Sequence, residues 1–145
     1  MKLLMIVANY PNAGHPYAGA FNERSAHVLQ ELGHHVEVVA PRPYVPRSLA
    51  ALHARWRAYD RIAGQEIRNG IRVYRPPYLQ LPGLRGLLRP DLGAYLSCVR
   101  ALKRRHDDEP YDAILAFNMI GAGGLAWRLA HRLNIPAAGW ATGND

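Results

Sequence analysis

The residues best placed to do chemistry lie in one long connection near the N-terminus, Asn9-Tyr10-Pro11-Asn12-Ala13-Gly14-His15-Pro16-Tyr17-Ala18-Gly19, which runs into Ala20-Phe21-Asn22 at the start of a helical pattern. Long strand-to-helix connections often carry function. Gly19, just before the helix, would let a ligand approach the free N–H groups and positive dipole of the helix start. The alternative is that Gly19 only shapes the turn. Gly14 and Gly19 do not form G-x-G-x-x-G, and the second strand ends in Pro41-Arg42 with no acid for a ribose, so a nicotinamide cofactor has little support. The phosphate-loop pattern G-x-x-x-x-G-K is absent.

Other constellations are weaker. Glu23 and His27 share a helix face at i, i+4 spacing, but no further ligands follow at zinc spacing, so no metal site is expected. No G-x-S-x-G elbow offers a nucleophile, and no catalytic residue can be named. In the segment from Arg47 to Arg61, Leu49, Leu52, Trp56 and Tyr59 would form one helical stripe flanked by Arg47, Arg55, Arg57 and Arg61. Such a helix can lie on an anionic bilayer surface, but an ordinary domain helix with solvated arginines is the favoured reading. The basic residues are spread out and match no nucleic-acid-binding module, so no nucleic-acid partner is expected.

The elements that must position these residues follow a strand–helix rhythm. Residues 3–8 are a continuous apolar run, as in a parallel strand covered on both faces. Residues 21–32 are predicted as a helix ended by Gly33, and residues 35–40 as a second strand with Val36, Val38 and Val39 inside. Prolines from Pro41 to Pro46 are expected to forbid regular structure, and Ser48 to cap a short helix running to about Ile62. Asn69-Gly70 marks a hairpin turn between two short strands, closed by Pro76-Pro77. Residues 79–90 read as an irregular loop. A helix over residues 91–106 should carry Leu92, Tyr95, Leu96, Val99 and Leu102 on one face. Strand 112–117, helix 121–133 and strand 137–141 complete the order. This is an α/β pattern, a Rossmann-like, doubly wound and mainly parallel sheet with a small hairpin insertion, in which ligands gather at the C-terminal ends of strands.

Composition adds bounds. The 145 residues, 49% hydrophobic, suffice for one domain. The formal net charge of +7 comes from 18 basic residues, all but two of them Arg, against 11 acids. That excess suits phosphate, an anionic membrane or a charged substrate without choosing among them. The single cysteine, Cys98, excludes an intramolecular disulfide and favours a cytoplasmic protein. No apolar stretch approaches the ~20 residues needed to span a bilayer, so membrane contact is expected to be peripheral, at the inner face.

Several pieces together resemble a known family. They are the first strand through Gly19-Ala20-Phe21, the run Leu29-Gln30-Glu31-Leu32-Gly33-His34-His35-Val36-Glu37-Val38-Val39-Ala40-Pro41, Arg55-Trp56, Val73-Tyr74-Arg75-Pro76 and Tyr111-Asp112-Ala113-Ile114-Leu115-Ala116. In this order and spacing they look like the N-terminal domain of a family-four glycosyltransferase of the GT-B type. The closing Thr142-Gly143-Asn144-Asp145 is similar to that family's His-Gly-Ser-Asp.

The resemblance implies retaining transfer of a hexosyl unit from a nucleotide-sugar to an acceptor hydroxyl, with no other cofactor. Residues 1–145 would be the acceptor-side half of the enzyme, and a C-terminal domain absent from this sequence would bind most of the nucleotide-sugar. By resemblance Gly19, Phe21 and Asn22 line the first loop, Asn118 the next strand end, and Thr142, Gly143 and Asp145 the inner wall of the cleft. Thr142 departs from the family's frequent His: its hydroxyl can hydrogen-bond a sugar but cannot act as a base near neutral pH. The chain alone is therefore expected to be an incomplete enzyme. The rival reading is a non-catalytic module that binds a glycan or lipid-linked sugar, or a peripheral membrane protein.

Overall fold

A computed structural model describes residues 1–44, 46, 48, 62–79 and 90–141. Eight strands are present among them: β1 (Lys2–Val7), β2 (His35–Val39), β3 (Arg42–Tyr44), β4 (Gln65–Arg68), β5 (Ile71–Tyr74), β6 (Pro77–Leu79), β7 (Ala113–Phe117) and β8 (Ala137–Trp140). The helices are α1 (Ala20–Glu31), α2 (Pro90–Asp108) and α3 (Gly124–Leu133), the last entered through a π-type turn at Met119–Gly123. Six strands form one sheet in the order β4-β5-β2-β1-β7-β8, parallel throughout except for the β4–β5 hairpin. The fold class read from the sequence is the one observed.

Alternation along β1 explains the two-layered core. Leu4 and Ile6 face one side, where they join Cys98 and Leu102 of α2 and Leu125 and Leu129 of α3. Met5 and Val7 face the other, against Ala26 of α1 and Val36, Val38, Ile71 and Val73 from the neighbouring strands. All six β1 residues are buried, as a central strand of a doubly wound sheet requires. Gly33, at φ 83°, ends α1, with its N–H donating to the Gln30 carbonyl at 2.9 Å. Asn134, in the left-handed region at φ 55°, ends α3.

Three expectations need correction. The prolines after β2 do not exclude a strand: β3 pairs in parallel with β6, in register Arg42↔Pro77 and Tyr44↔Leu79. The Arg42 N–H donates to the Pro76 carbonyl at 3.0 Å. Alternate residues turn their nitrogens away from the partner, so Pro43 loses nothing in a two-stranded ribbon. Pro77 likewise opens β6 rather than only closing the hairpin. In α2 the buried face is Ala94, Cys98 and Leu102, while Leu92 and Leu96 are exposed. The two small residues let this helix sit close to its neighbours, and Gly93 has the Tyr78 Cβ within 3.2 Å of where its own Cβ would stand. Finally, α3 begins three residues later than predicted, because Asn118 at φ 75° and Gly121 at φ 97° turn the chain first. The expected helix up to Ile62, including Arg47, Arg55, Arg57 and Arg61, and most of the expected loop 79–90 lie outside the described residues.

Candidate functional site

Strand order reverses at β1: the chain passes first to β2 on one side and later to β7 on the other. In an open α/β sheet the connections leaving such a pair diverge above and below the sheet, opening a crevice at the carboxyl ends of the strands. Here those connections are residues 9–19 after β1 and the turn beginning at Asn118 after β7. They meet at their bases, since a Cβ on Gly121 would stand 3.5 Å from the Ala8 Cβ.

The first loop is ordered by its own polar groups. The buried Asn12 accepts from the Gly14 and His15 amides through Oδ1, at 3.0 and 3.1 Å. The backbones of Asn12 and His15 also exchange hydrogen bonds at 3.1 and 3.3 Å. Gly19 has φ 72°, and a Cβ there would run into the Asn9 carbonyl, so the glycine is required by backbone proximity whether or not a ligand binds. The Gly19 carbonyl accepts from the Asn22 and Glu23 amides at 2.9 and 3.2 Å. Asn22 is only 1% exposed, and its Nδ2 donates to the same Asn9 carbonyl at 2.8 Å. Phe21 projects outward from the first turn, and Tyr17 from the loop.

On the other wall the Asn118 N–H donates to the Trp140 carbonyl at 3.1 Å, joining the ends of β7 and β8. Met119, Ile120 and Trp140 are exposed there, with Trp140 stacked on Phe117 at a ring separation of 6.4 Å. Gly19 precedes α1 and Phe21 and Asn22 stand in its first turn, while Asn118 opens the turn after β7. Thr142, Gly143 and Asp145 lie outside the described residues. Glu23 faces the hairpin instead of pairing with His27: it accepts from Arg68 Nε at 2.6 Å and Asn69 Nδ2 at 3.2 Å. Among the described residues no three His, Cys, Asp or Glu side chains gather where they could hold a metal ion.

Sequence reading overlooked the polar groups beneath the first loop. Arg75, 2% exposed, donates from one nitrogen, Nη2, to the Pro11 carbonyl at 2.8 Å and to Glu66 Oε1 at 2.7 Å. Tyr10 is buried beside this pair. Desolvation holds its phenol well above the ordinary tyrosine range, and the nearby Glu23 carboxylate adds to the rise. Arg75 stands next to Pro76-Pro77, where a terminated strand is the obvious reading; only its apolar neighbours Val73 and Tyr74 hinted at burial.

The fold is that of a Rossmann-like half of a GT-B architecture. Residues 18–139 match the glycosyl transferase 4-like domain, and the chain belongs to that family. It is 32% identical over 145 residues to TuaC of Bacillus subtilis (strain 168), a protein named as a teichuronic acid biosynthesis glycosyltransferase. That match covers 100% of this chain and 37% of TuaC, so the chain spans little more than a third of the relative's length. Among solved structures it resembles sucrose-phosphate synthase of Thermosynechococcus elongatus, with TM-score 0.56 and 16% identity over 100% of this chain and 65% of that one. A similar likeness, TM-score 0.52 and 14% identity over 95% of this chain and 89% of the other, links it to the C-terminal domain of the PF1911 hydrogenase of Pyrococcus furiosus. At such identities the likeness concerns the fold, which unrelated activities share. No helix among the described residues is long and apolar enough to cross a membrane.

Proposed function

We propose that this chain is the acceptor-side half of a retaining GT-B glycosyltransferase, which moves a hexosyl unit from a nucleotide-sugar to a hydroxyl of a carbohydrate or lipid-linked acceptor during synthesis of a cell-envelope polysaccharide. The observation that carries this reading is the reversal of strand order at β1, where residues 9–19 and the turn at Asn118 leave the carboxyl ends of the adjacent strands β1 and β7, in a member of the glycosyl transferase 4-like family. The polysaccharide context rests on the name of TuaC. Phe21 offers an apolar face for a sugar ring, and the Asn118 amide group can pair with a hydroxyl as donor or acceptor. Gly19 and Asn22 fix the loop that presents them, while Thr142, Gly143 and Asp145 would close the inner wall. A second domain binds the nucleotide-sugar, and the transfer depends on holding the acceptor hydroxyl against the donor's reacting carbon. The segment carrying Arg47, Arg55, Arg57 and Arg61 would hold the domain against an anionic inner-membrane surface where lipid-linked acceptors reside.

The test is an NMR titration of the chain with cell-envelope oligosaccharides and lipid-linked sugars, alongside a nucleotide-sugar turnover assay. Acceptors should perturb the amides of residues 9–19 and 118–124, and the chain alone should turn over no nucleotide-sugar. Enzyme-like transfer by the isolated chain, with those amides unmoved by any acceptor, would overturn the proposal.

A further inference from the structure

The β4–β5 hairpin grips both ends of the first cleft loop. At the entry, Arg75 lies just past β5 and reaches the Pro11 carbonyl, 64 residues away in sequence, while Glu66 of β4 holds the same guanidinium nitrogen. At the exit, Glu23 in the first turn of α1 accepts from Arg68 and Asn69 at the hairpin's tip. The hairpin itself is closed beside Arg75, whose amide donates to the Gly64 carbonyl at 2.7 Å. Tyr10, buried under the loop, lies within electrostatic reach of Glu23, Arg68, Arg75 and Glu66.

A guanidinium that is 98% buried is a costly way to stabilise a fold, because desolvation must be offset by partners with good geometry. Arg75 uses one nitrogen for two such partners, and one of them is a loop carbonyl. A main-chain carbonyl held in this way fixes the path of the loop rather than the identity of any side chain. From this geometry we infer that the hairpin is a brace for the cleft loop, with Arg75 as a positioning residue that acts through Pro11 and Glu66 as the partner that orients it. The inference rests on the acceptor-side reading only for its functional consequence.

The experiment uses the full chain as wild type, Arg75→Gln, Glu66→Gln and Glu23→Gln. Amide hydrogen exchange is followed at Asn12, Gly14, His15 and Ala18, with Met5 and Ile114 in the central strands as internal references. Exchange in the loop should rise about tenfold in Arg75→Gln, the size expected when a charged hydrogen bond is lost, and less in the two Glu variants. The central strands should keep their protection. Acceptor affinity, read in the same titration as above, should weaken with the loop. An unchanged loop in both Arg75→Gln and Glu66→Gln overturns the brace, as does a rise matched in the central strands. A loosened loop with unaltered acceptor affinity supports the brace and removes the acceptor role of the loop, so the two ideas fail separately. If Arg75→Gln does not fold, the Glu66→Gln and Glu23→Gln variants decide the outcome, since each leaves the buried arginine in place.

Discussion

The two ends of the sheet are built differently. At the N-terminal ends of the strands the polar groups close on one another. Glu37, 1% exposed on β2, accepts from the Tyr111 hydroxyl at 2.7 Å and from Arg105. Lys2 donates to the Glu109 carbonyl at 2.9 Å, pairs with the Glu109 carboxylate at 2.8 Å and lies over the Tyr111 ring. The Lys2 amide donates to Asp112 at 2.6 Å. At the C-terminal ends, buried Tyr10 Oη, Asn22 Oδ1 and Arg75 Nη1 have no hydrogen-bond partner among the described residues, and Met119, Ile120 and Trp140 face outward. One end is largely a paired network, with His34 Nδ1 beside the start of β2 as a buried atom that has no partner among the described residues. The other exposes apolar side chains at the ends of β7 and β8, a surface suited to binding, while its unpartnered polar atoms are themselves buried.

The largest break in that contrast should come from Glu37→Ala. It leaves the buried Tyr111 hydroxyl without its acceptor and removes the carboxylate partner of Arg105, and loss of one member of such a network costs about 3 kcal/mol. A chemical denaturation curve should show that loss in its midpoint at unchanged slope, while acceptor titration of the folded variant stays at the wild-type level. If acceptor binding falls with it, the two ends are not independent.

A smaller effect separates two glycines that share a backbone conformation but not an environment. Gly33, at φ 83°, has open space where a Cβ would go, whereas Gly19, at φ 72°, faces the Asn9 carbonyl. Gly33→Ala should cost only the left-handed backbone penalty, on the order of 1 kcal/mol. Gly19→Ala should cost roughly twice that, because Asn9 must also move. Only Gly19→Ala should alter acceptor binding. Equal losses in the two variants would show that the contact at Asn9 relaxes freely.

The contrast also explains what could be read from the sequence. The buried strands β1 and β2, the Gly33 helix stop and the Asn69-Gly70 hairpin were legible because each depends on local chemistry: an apolar run, a positive φ, a two-residue turn. The reversal of strand order at β1 followed from the order of these elements. The paired network did not, because Glu37 sits between valines where alternation alone suggests a solvated side, and its partners lie 68 and 74 residues away. The β3–β6 ribbon was hidden for a related reason. Proline is read as excluding a strand, yet a ribbon with an open edge tolerates Pro43, and only the pairing shows which way its nitrogen points. In the same way the loop residues of the site were visible as a long connection, but Arg75 beneath them depends on a contact to Pro11 that no local pattern encodes.

A last effect should appear as a slope in alkaline solution, and it again distinguishes groups by their surroundings. Burial pushes the Cys98 thiol up to about 12 from an ordinary 9.0. The Tyr111 phenol is raised from 10.0 first by burial and then by its hydrogen bond to Glu37, and that of Tyr10 by burial. In each case the folded value exceeds the unfolded one, so the unfolded chain loses the proton first. The stabilisation is complete below the unfolded value and is lost as pH rises through the interval up to the folded one, at up to about 1.4 kcal/mol per pH unit for each group. Stability should therefore stay level through neutral pH, begin to fall above about pH 9 as unfolded Cys98 ionises, and fall more steeply above about pH 10 when the tyrosines join. Urea titrations at closely spaced pH values should show the first part of the decline flattened in Cys98→Ala and the second part reduced in Tyr111→Phe. Slopes matter here rather than absolute stabilities, because both substitutions also change packing. Unaltered slopes in both variants would mean that these buried groups ionise in the folded chain as readily as in the unfolded one.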